Sequence, residues 1–407
     1  MKFGTIIKDG RKVDKSLHKF DIVIRNSRVI DPASGQDGPG TVYIRDGRIV
    51  RPSPGEENAD AEVVVDATGC MTFPGLVDSH THVFETDGEG GTDADLLCIP
   101  SGVTTVIDGG SSGCVNFRVF HERDIVSSVT NVKALMNICA NGMISVAYGE
   151  YLNPEFYDPD EMRRLFARHP DVLLGTKVRV DKRHIEAYGL EPIRFACETA
   201  DRIKADGGKC VVQVHALHLP DGVLGQILGL LRRGDIFIHM YNGYEGGILD
   251  EKGWVRDCVK DARKRGVLFD CCGGRVLFSL DVVRKAFDQG FFPDLIATDL
   301  VSTSVYRRPM FSLPHALTMY HNLGLSLFDV VKAATATPAA AYGMTGQFGT
   351  LSPGVPADVA VFKLLDEPLK CFDAFGSIFE ASKVFAPMLT IREGQIRFRQ
   401  TWFQNEM

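Results

Sequence analysis

Two histidines close the segment Phe73-Pro74-Gly75-Leu76-Val77-Asp78-Ser79-His80-Thr81-His82. Leu76 and Val77 start an apolar run that leads into them. On a strand, residues i and i+2 share a face, so both imidazoles point the same way. Two nitrogen donors on one face are what a divalent metal asks of a strand end. Four more polar residues end β-like runs further along: Lys177, His215, His239 and Asp299. Any one of them alone reads as a packing residue, a snorkelling lysine or a turn cap. Six such groups on five strand ends read as a site.

The elements that must carry these residues follow two rhythms. Residues 20–72 read as short strands and turns, with Phe20–Arg25 and Val42–Arg45 alternating and Asp46-Gly47 as a hairpin signal. Glu62–Asp66 adds a strand. The same texture returns in Ala357–Phe362 and Met388–Ile396. The chain ends are therefore expected to form one small β-sandwich. Between them, strand-like runs ending near His80, Asp108, Asn141, Val180, Leu217, Asn242, Cys272 and Leu300 alternate with helical stretches such as Asp158–His169 and Gly225–Arg233. Eight such units in this length predict an α/β fold, a (β/α)8 TIM barrel, whose functional groups lie at the C-terminal ends of the strands. A doubly wound open sheet is the rival, but no G-x-G-x-x-G turn is present. The expected division is 1–72 for the N-terminal part of the sandwich, 73–343 for the barrel and 344–407 for the C-terminal part.

Composition narrows the function. The 407 residues suit a large domain with an accessory. With 44% hydrophobic and 24% charged residues, the chain has the balance of a globular enzyme. A net charge of -7 argues against a nucleic-acid partner. No apolar run reaches the length of a membrane span, and Met1–Phe20 does not read as a signal peptide. The 10 cysteines show no C-x-x-C spacing, which predicts reduced, mostly core thiols and a cytoplasmic setting. A small-molecule substrate and a homo-oligomer are expected.

With these residues in view, the chain resembles the amidohydrolase superfamily, in its binuclear-metal branch with dihydroorotases, hydantoinases and isoaspartyl dipeptidases. The resemblance rests on P-G-L-V-D-S-H-T-H at 74–82, G-T-K-V-R at 175–179, V-H at 214–215, I-H at 238–239 and A-T-D at 297–299. Ala334–Ala339 and Gly354–Ala360 also match, so nearly the whole chain is covered. Gly91–Asp95, Gly102–Asp108 and His239–Gly243 suggest a dihydroorotase-like amidohydrolase/deacetylase group.

The resemblance implies two divalent metal ions, zinc suiting the donors best. His80 and His82 would hold the more buried ion with Asp299, and His215 and His239 the second. Lys177 would bridge them as a carbamate formed with carbon dioxide. A bridging water would be the nucleophile, with Asp299 as its proton shuttle. Arg179 and Arg275 are candidates for a substrate carboxylate, and Tyr241 and Asn242 for further substrate contacts. His218 reads as a loop residue. Cys271-Cys272-Gly273-Gly274-Arg275 departs from the family, where a His-Gly-rich stretch stands.

The expected reaction is hydrolysis of a C–N amide bond in an N-acyl amino acid-like or cyclic amide substrate, with acyl esters open to the same chemistry. Dihydroorotase itself is disfavoured, because Val83-Phe84-Glu85 follows His82 and no arginine stands two residues on. A cyclic amidase of the dihydroorotase or hydantoinase type and a non-catalytic scaffold are the alternatives. A mononuclear deaminase would not need Lys177.

Overall fold

The computed structural model describes residues 7–8, 11–12, 18–145 and 149–403. Seven parallel strands form one sheet: β1 (Leu76–Thr81), β2 (Val103–Asp108), β3 (Asn131–Asn137), β4 (Leu173–Val180), β5 (Val211–Ala216), β6 (Ile236–Phe237) and β7 (Leu268–Phe269). Their order in the sheet follows the sequence, so β1 and β7 are its edges. Between those edges runs the segment 294–300. It bonds to β7 through Asp294 N to Phe269 O (2.9 Å) and to β1 through Asp299 N to His80 O (2.7 Å) and His82 N to Leu300 O (3.0 Å). A single parallel bridge, Asp270 with Leu295, is its only ladder pairing among the described residues. The architecture is TIM-barrel-like.

Two strand ends differ from the sequence reading. β3 stops at Asn137, because the Asn137 side-chain oxygen accepts from Cys139 N (2.9 Å) and turns the chain before Asn141. β6 stops at Phe237, and His239 sits in the left-handed region with φ 56°. The helices answer their patterns. Pro159–Arg168 is capped by Asp158, which accepts from Glu161 N (2.9 Å), and buries Met162, Leu165 and Phe166 along one face.

Strands from both chain ends meet in a single eight-stranded mixed sheet. Asp46 and Gly47, at φ 52° and 70°, make the tight hairpin between Gln36–Arg45 and Arg48–Val50. The N-terminal strand Phe20–Asp31 and the C-terminal strand Val359–Leu365 both pair with Met71–Pro74. One hydrophobic cluster joins Ile24 and Ile44 to Leu389 and Ile391. Gly75 alone separates this sheet from β1. A Cβ there would lie 2.1 Å from the Thr104 hydroxyl, so only glycine lets the chain pass from small sheet to barrel at this point.

Candidate metal centre

The alternation of β1 puts His80 and His82 into a cavity of about 780 Å³ at the C-terminal ends of the strands. Lys177, His215 and Asp299 line the same cavity. His239 is fully buried beside them, its ring 4.4 Å from that of His215 and 5.7 Å from that of His80. Asp299 Oδ1 stands 3.3 Å from Nε2 of both His80 and His82, and Oδ2 stands 4.0 Å from His239 Nε2. The ligand atoms of His80, His82 and Asp299 all lie within 4.8 Å of one another. All six residues expected at the site are thus brought together.

The imidazoles are oriented by bonds to their far nitrogens. His80 Nδ1 meets Gln213 Oε1 at 2.6 Å, and His239 Nδ1 meets the Cys272 carbonyl at 2.8 Å. Both partners only accept, so Nδ1 carries the proton in each ring and Nε2 keeps its lone pair. His82 Nδ1 lies 2.8 Å from Ser111 Oγ, which donates to Asp108 Oδ2 at 2.7 Å, so His82 takes the same tautomer. Among the described residues, neither His80 Nε2 nor His239 Nε2 has a hydrogen-bond partner. Burial lowers the imidazoles to about 3 at His80 and about 4 at His239, and lowers His215 well below its ordinary value. They are neutral, as metal ligands must be. Unpaired, buried, neutral nitrogens converging on a carboxylate fit divalent cations.

Lys177 extends from β4 toward the same point, and its Nζ donates to the Gly109 carbonyl at 2.9 Å. Burial lowers its ammonium below the usual lysine range. Gly109 and Gly110 leave the space: a Cβ on Gly109 would lie 2.4 Å from the His80 ring, and one on Gly110 2.5 Å from Lys177 Cβ. Burial would raise the Asp299 carboxyl, but His239, His80 and His82 draw it well below the carboxylate range. Its φ of 54° is stored strain at the root of the loop that follows. Gly274 N bonds the Thr298 carbonyl, and a Cβ on Gly274 would stand 2.3 Å from Asp299 Oδ2. The glycines of the divergent 271–275 segment therefore let that loop close over the carboxylate.

The other candidates separate. Arg179 lines the cavity and donates from Nε to Glu150 at 2.6 Å. Arg183, also on the wall, pairs with Asp181 at 2.9 Å. Arg275 lines the mouth, and among the described residues its partner is the neutral Thr303 hydroxyl at 3.3 Å. Tyr241 and Asn242 do not line the cavity, against the expectation of substrate contact. The Tyr241 hydroxyl donates to the Phe291 carbonyl (2.9 Å), and the Asn242 amide caps the turn on His239 O (2.9 Å) and Tyr244 N (3.1 Å). His218 sits at the rim, bonded to Glu245 at 3.1 Å. Cys272 Sγ is 3.2 Å from His239 Nδ1, but burial pushes its thiol well above the usual range, which keeps it neutral and a poor ligand.

Gln213, Ser111, Asp108 and Glu150 escaped the sequence reading. Gln213 had a visible signal, since it stands two residues before His215 on the same strand face. Gln213→Ala is expected to weaken divalent metal binding by ~10–100-fold, the usual effect of losing a partner behind a ligand. Competition against a chelator measures this, and unchanged affinity would remove Gln213 from the site.

The fold and these groups define a metal-dependent hydrolase of the barrel type. A profile described as "Amidohydrolase family" matches residues 251–397. A deacetylase of Enterococcus faecalis is 27% identical over 378 residues, 93% of this chain and 99% of the relative. A crystal structure of an adenine deaminase is 26% identical with a TM-score of 0.86, covering 94% of this chain and 100% of that one. A dihydroorotase crystal structure, 24% identical, shares the fold at a TM-score of 0.81 over 93% and 99% of the two chains. These likenesses support a place for the chain in the amidohydrolase superfamily, among its dihydroorotase-like deacetylases.

Proposed function

We propose that this protein hydrolyses the amide bond of small N-acyl amino acids or related cyclic amides, with acyl esters as further substrates. The observation that carries the reading is the convergence of unpaired imidazole nitrogens, Asp299 and the buried Lys177 at one cavity and its floor. His80, His82 and Asp299 would hold one divalent ion, His215 and His239 a second, and carboxylated Lys177 would join them. Zinc, the metal these donors suit best, would acidify a water and polarise the scissile carbonyl. Burial lowers the Lys177 amine below the usual lysine range, and the neutral amine is the form that adds carbon dioxide. The segment 294–300 is read as the eighth strand of a closed barrel. The terminal sheet is read as folding on itself into the small sandwich, with boundaries near residues 72 and 343.

Arg275 is the proposed carboxylate anchor, because Arg179 and Arg183 are already neutralised by Glu150 and Asp181. A carboxylate held there lies on the β7 side of the mouth and not beside His82, where the segment Val83-Phe84-Glu85 offers no cation. The relative described as a deacetylase supports an acyl group as the part removed.

The test is a substrate screen with metal analysis. Acylated amino and hydroxy acids of both configurations, dihydroorotate and hydantoins are offered to zinc-loaded protein. Turnover of acyl compounds with two metals per chain is expected. Turnover of dihydroorotate alone would overturn the reading, and one metal per chain with Lys177 dispensable would point to deaminase chemistry. Arg275→Ala is expected to raise KM for acyl amino acids by about tenfold or more with kcat little changed, as loss of a charge-assisted hydrogen bond implies.

A further inference from the structure

A second cavity, of about 570 Å³, lies where the end of the 301–312 loop and the helix Leu313–Asn322 meet the strands Leu369–Phe372 and Val384–Arg392. Its walls are mainly apolar, with Phe311, Leu369, Val384, Phe385 and Pro387 among them. Among the described residues no acidic side chain lines it, but two cations do, Arg308 and Lys370. The Arg308 guanidinium stacks 3.6 Å over the Phe372 ring, which fixes the charge at the edge of the apolar wall. Neither cation forms an ion pair with a described residue. Within the lining, His315 Nδ1 is buried without a hydrogen-bond partner. Burial alone lowers this imidazole to about 4, so the ring is neutral.

We propose that this cavity is a binding site for a small amphiphilic carboxylate, a molecule with an apolar body of roughly ten carbons and an anionic head. The volume falls within the range of small-ligand sites. The body would cover the aromatic and aliphatic wall. The head would meet Arg308 and Lys370, and an oxygen of the ligand would supply the partner that His315 Nδ1 lacks. The site is separate from the metal centre but is joined to it by one loop. Val301 and Thr303 of the loop that follows Asp299 line the catalytic cavity, whereas Tyr306, Arg308 and Phe311, further along the same stretch, line this one. An occupant would therefore hold the loop that begins at Asp299.

Isothermal titration of the intact protein with decanoate tests this, with decan-1-ol and decylamine as uncharged and cationic counterparts. Saturable binding of decanoate, weakened by about tenfold or more in the Arg308→Glu/Lys370→Glu variant and unchanged in His215→Ala, is expected. Both cations are exposed, so the variant keeps its fold, which circular dichroism checks. Leu369→Trp, which fills the apolar wall instead, should weaken binding without altering charge. No saturable binding, equal binding of decylamine, or binding lost in His215→Ala and kept in the charge variant would overturn the proposal. So would a self-associated protein whose decanoate uptake appears only on dissociation, because the cavity would then be an interface between copies.

Discussion

Lys177→Ala is expected to lose its divalent metal and nearly all hydrolytic activity while keeping its fold. The side chain is buried, and its amine makes one hydrogen bond, to the Gly109 carbonyl. The Gly109 carbonyl borders the cavity, where water can take the place of the amine. Removing a buried amine also relieves its desolvation. What the variant would lose, in the proposed reading, is the carbamate that joins the His80/His82 pair to the His215/His239 pair. Metal analysis after zinc loading should fall far below that of the wild-type protein. Propionate or a similar short acid, small enough for the space left by the lysine, should restore part of both metal and rate. Full metal content and a wild-type rate in Lys177→Ala would end the carbamate proposal.

The sequence carried this candidate site in unusual detail because several of its residues stand on or beside regular strands. His80 on β1 and His82 just past its end keep the i, i+2 spacing, and Lys177 and Arg179 keep it on β4, so spacing alone states which side chains share a face. The reading failed where regularity ends. Past β6, a left-handed turn at His239 directs Tyr241 into an aromatic core with Phe287 and Tyr320, and makes Asn242 a cap. A strand extended through Asn242 would have faced them to the mouth instead. Glu150 lies in the irregular stretch after β3, where no period relates it to Arg179, twenty-nine residues away. Its effect is decisive all the same, because it neutralises one of the arginines expected to greet substrate. The segment 294–300 was legible as a strand from composition, yet it makes a single bridge. Asp78 takes both the Thr298 amide (3.1 Å) and hydroxyl (2.6 Å) there, so a side chain replaces part of the ladder. Burial raises the Asp78 carboxyl to about 7, which makes this seam one place where the barrel carries an internal acid that no hydropathy pattern announces.

Asp299→Asn is expected to keep the fold and part of the metal while catalysis falls by at least ~10²–10⁴-fold, the usual weight of general acid–base help. The substitution is chosen for its backbone. Asp299 has a φ of 54°, a region that asparagine tolerates and that alanine or a β-branched residue would enter only with strain. The Asp299 amide still bonds the His80 carbonyl at 2.7 Å, so the strand junction survives. An amide oxygen can still face Nε2 of His80 or His82, which is why some metal should remain. What the amide cannot do is take a proton from the attacking water and return it to the leaving nitrogen. In the proposed reading Asp299 is the carboxylate placed for both acts, since it lines the cavity and faces the His80, His82 and His239 imidazoles. The lesion should therefore appear in kcat at matched metal content, with KM for an acyl amino acid little changed and the Arg275 contact intact. An Asp299→Asn protein within a few-fold of the wild-type kcat would assign the proton transfers to another group. Glu150, the other carboxylate that lines the cavity near Lys177, is held by Arg179 and would have to leave that pair to act.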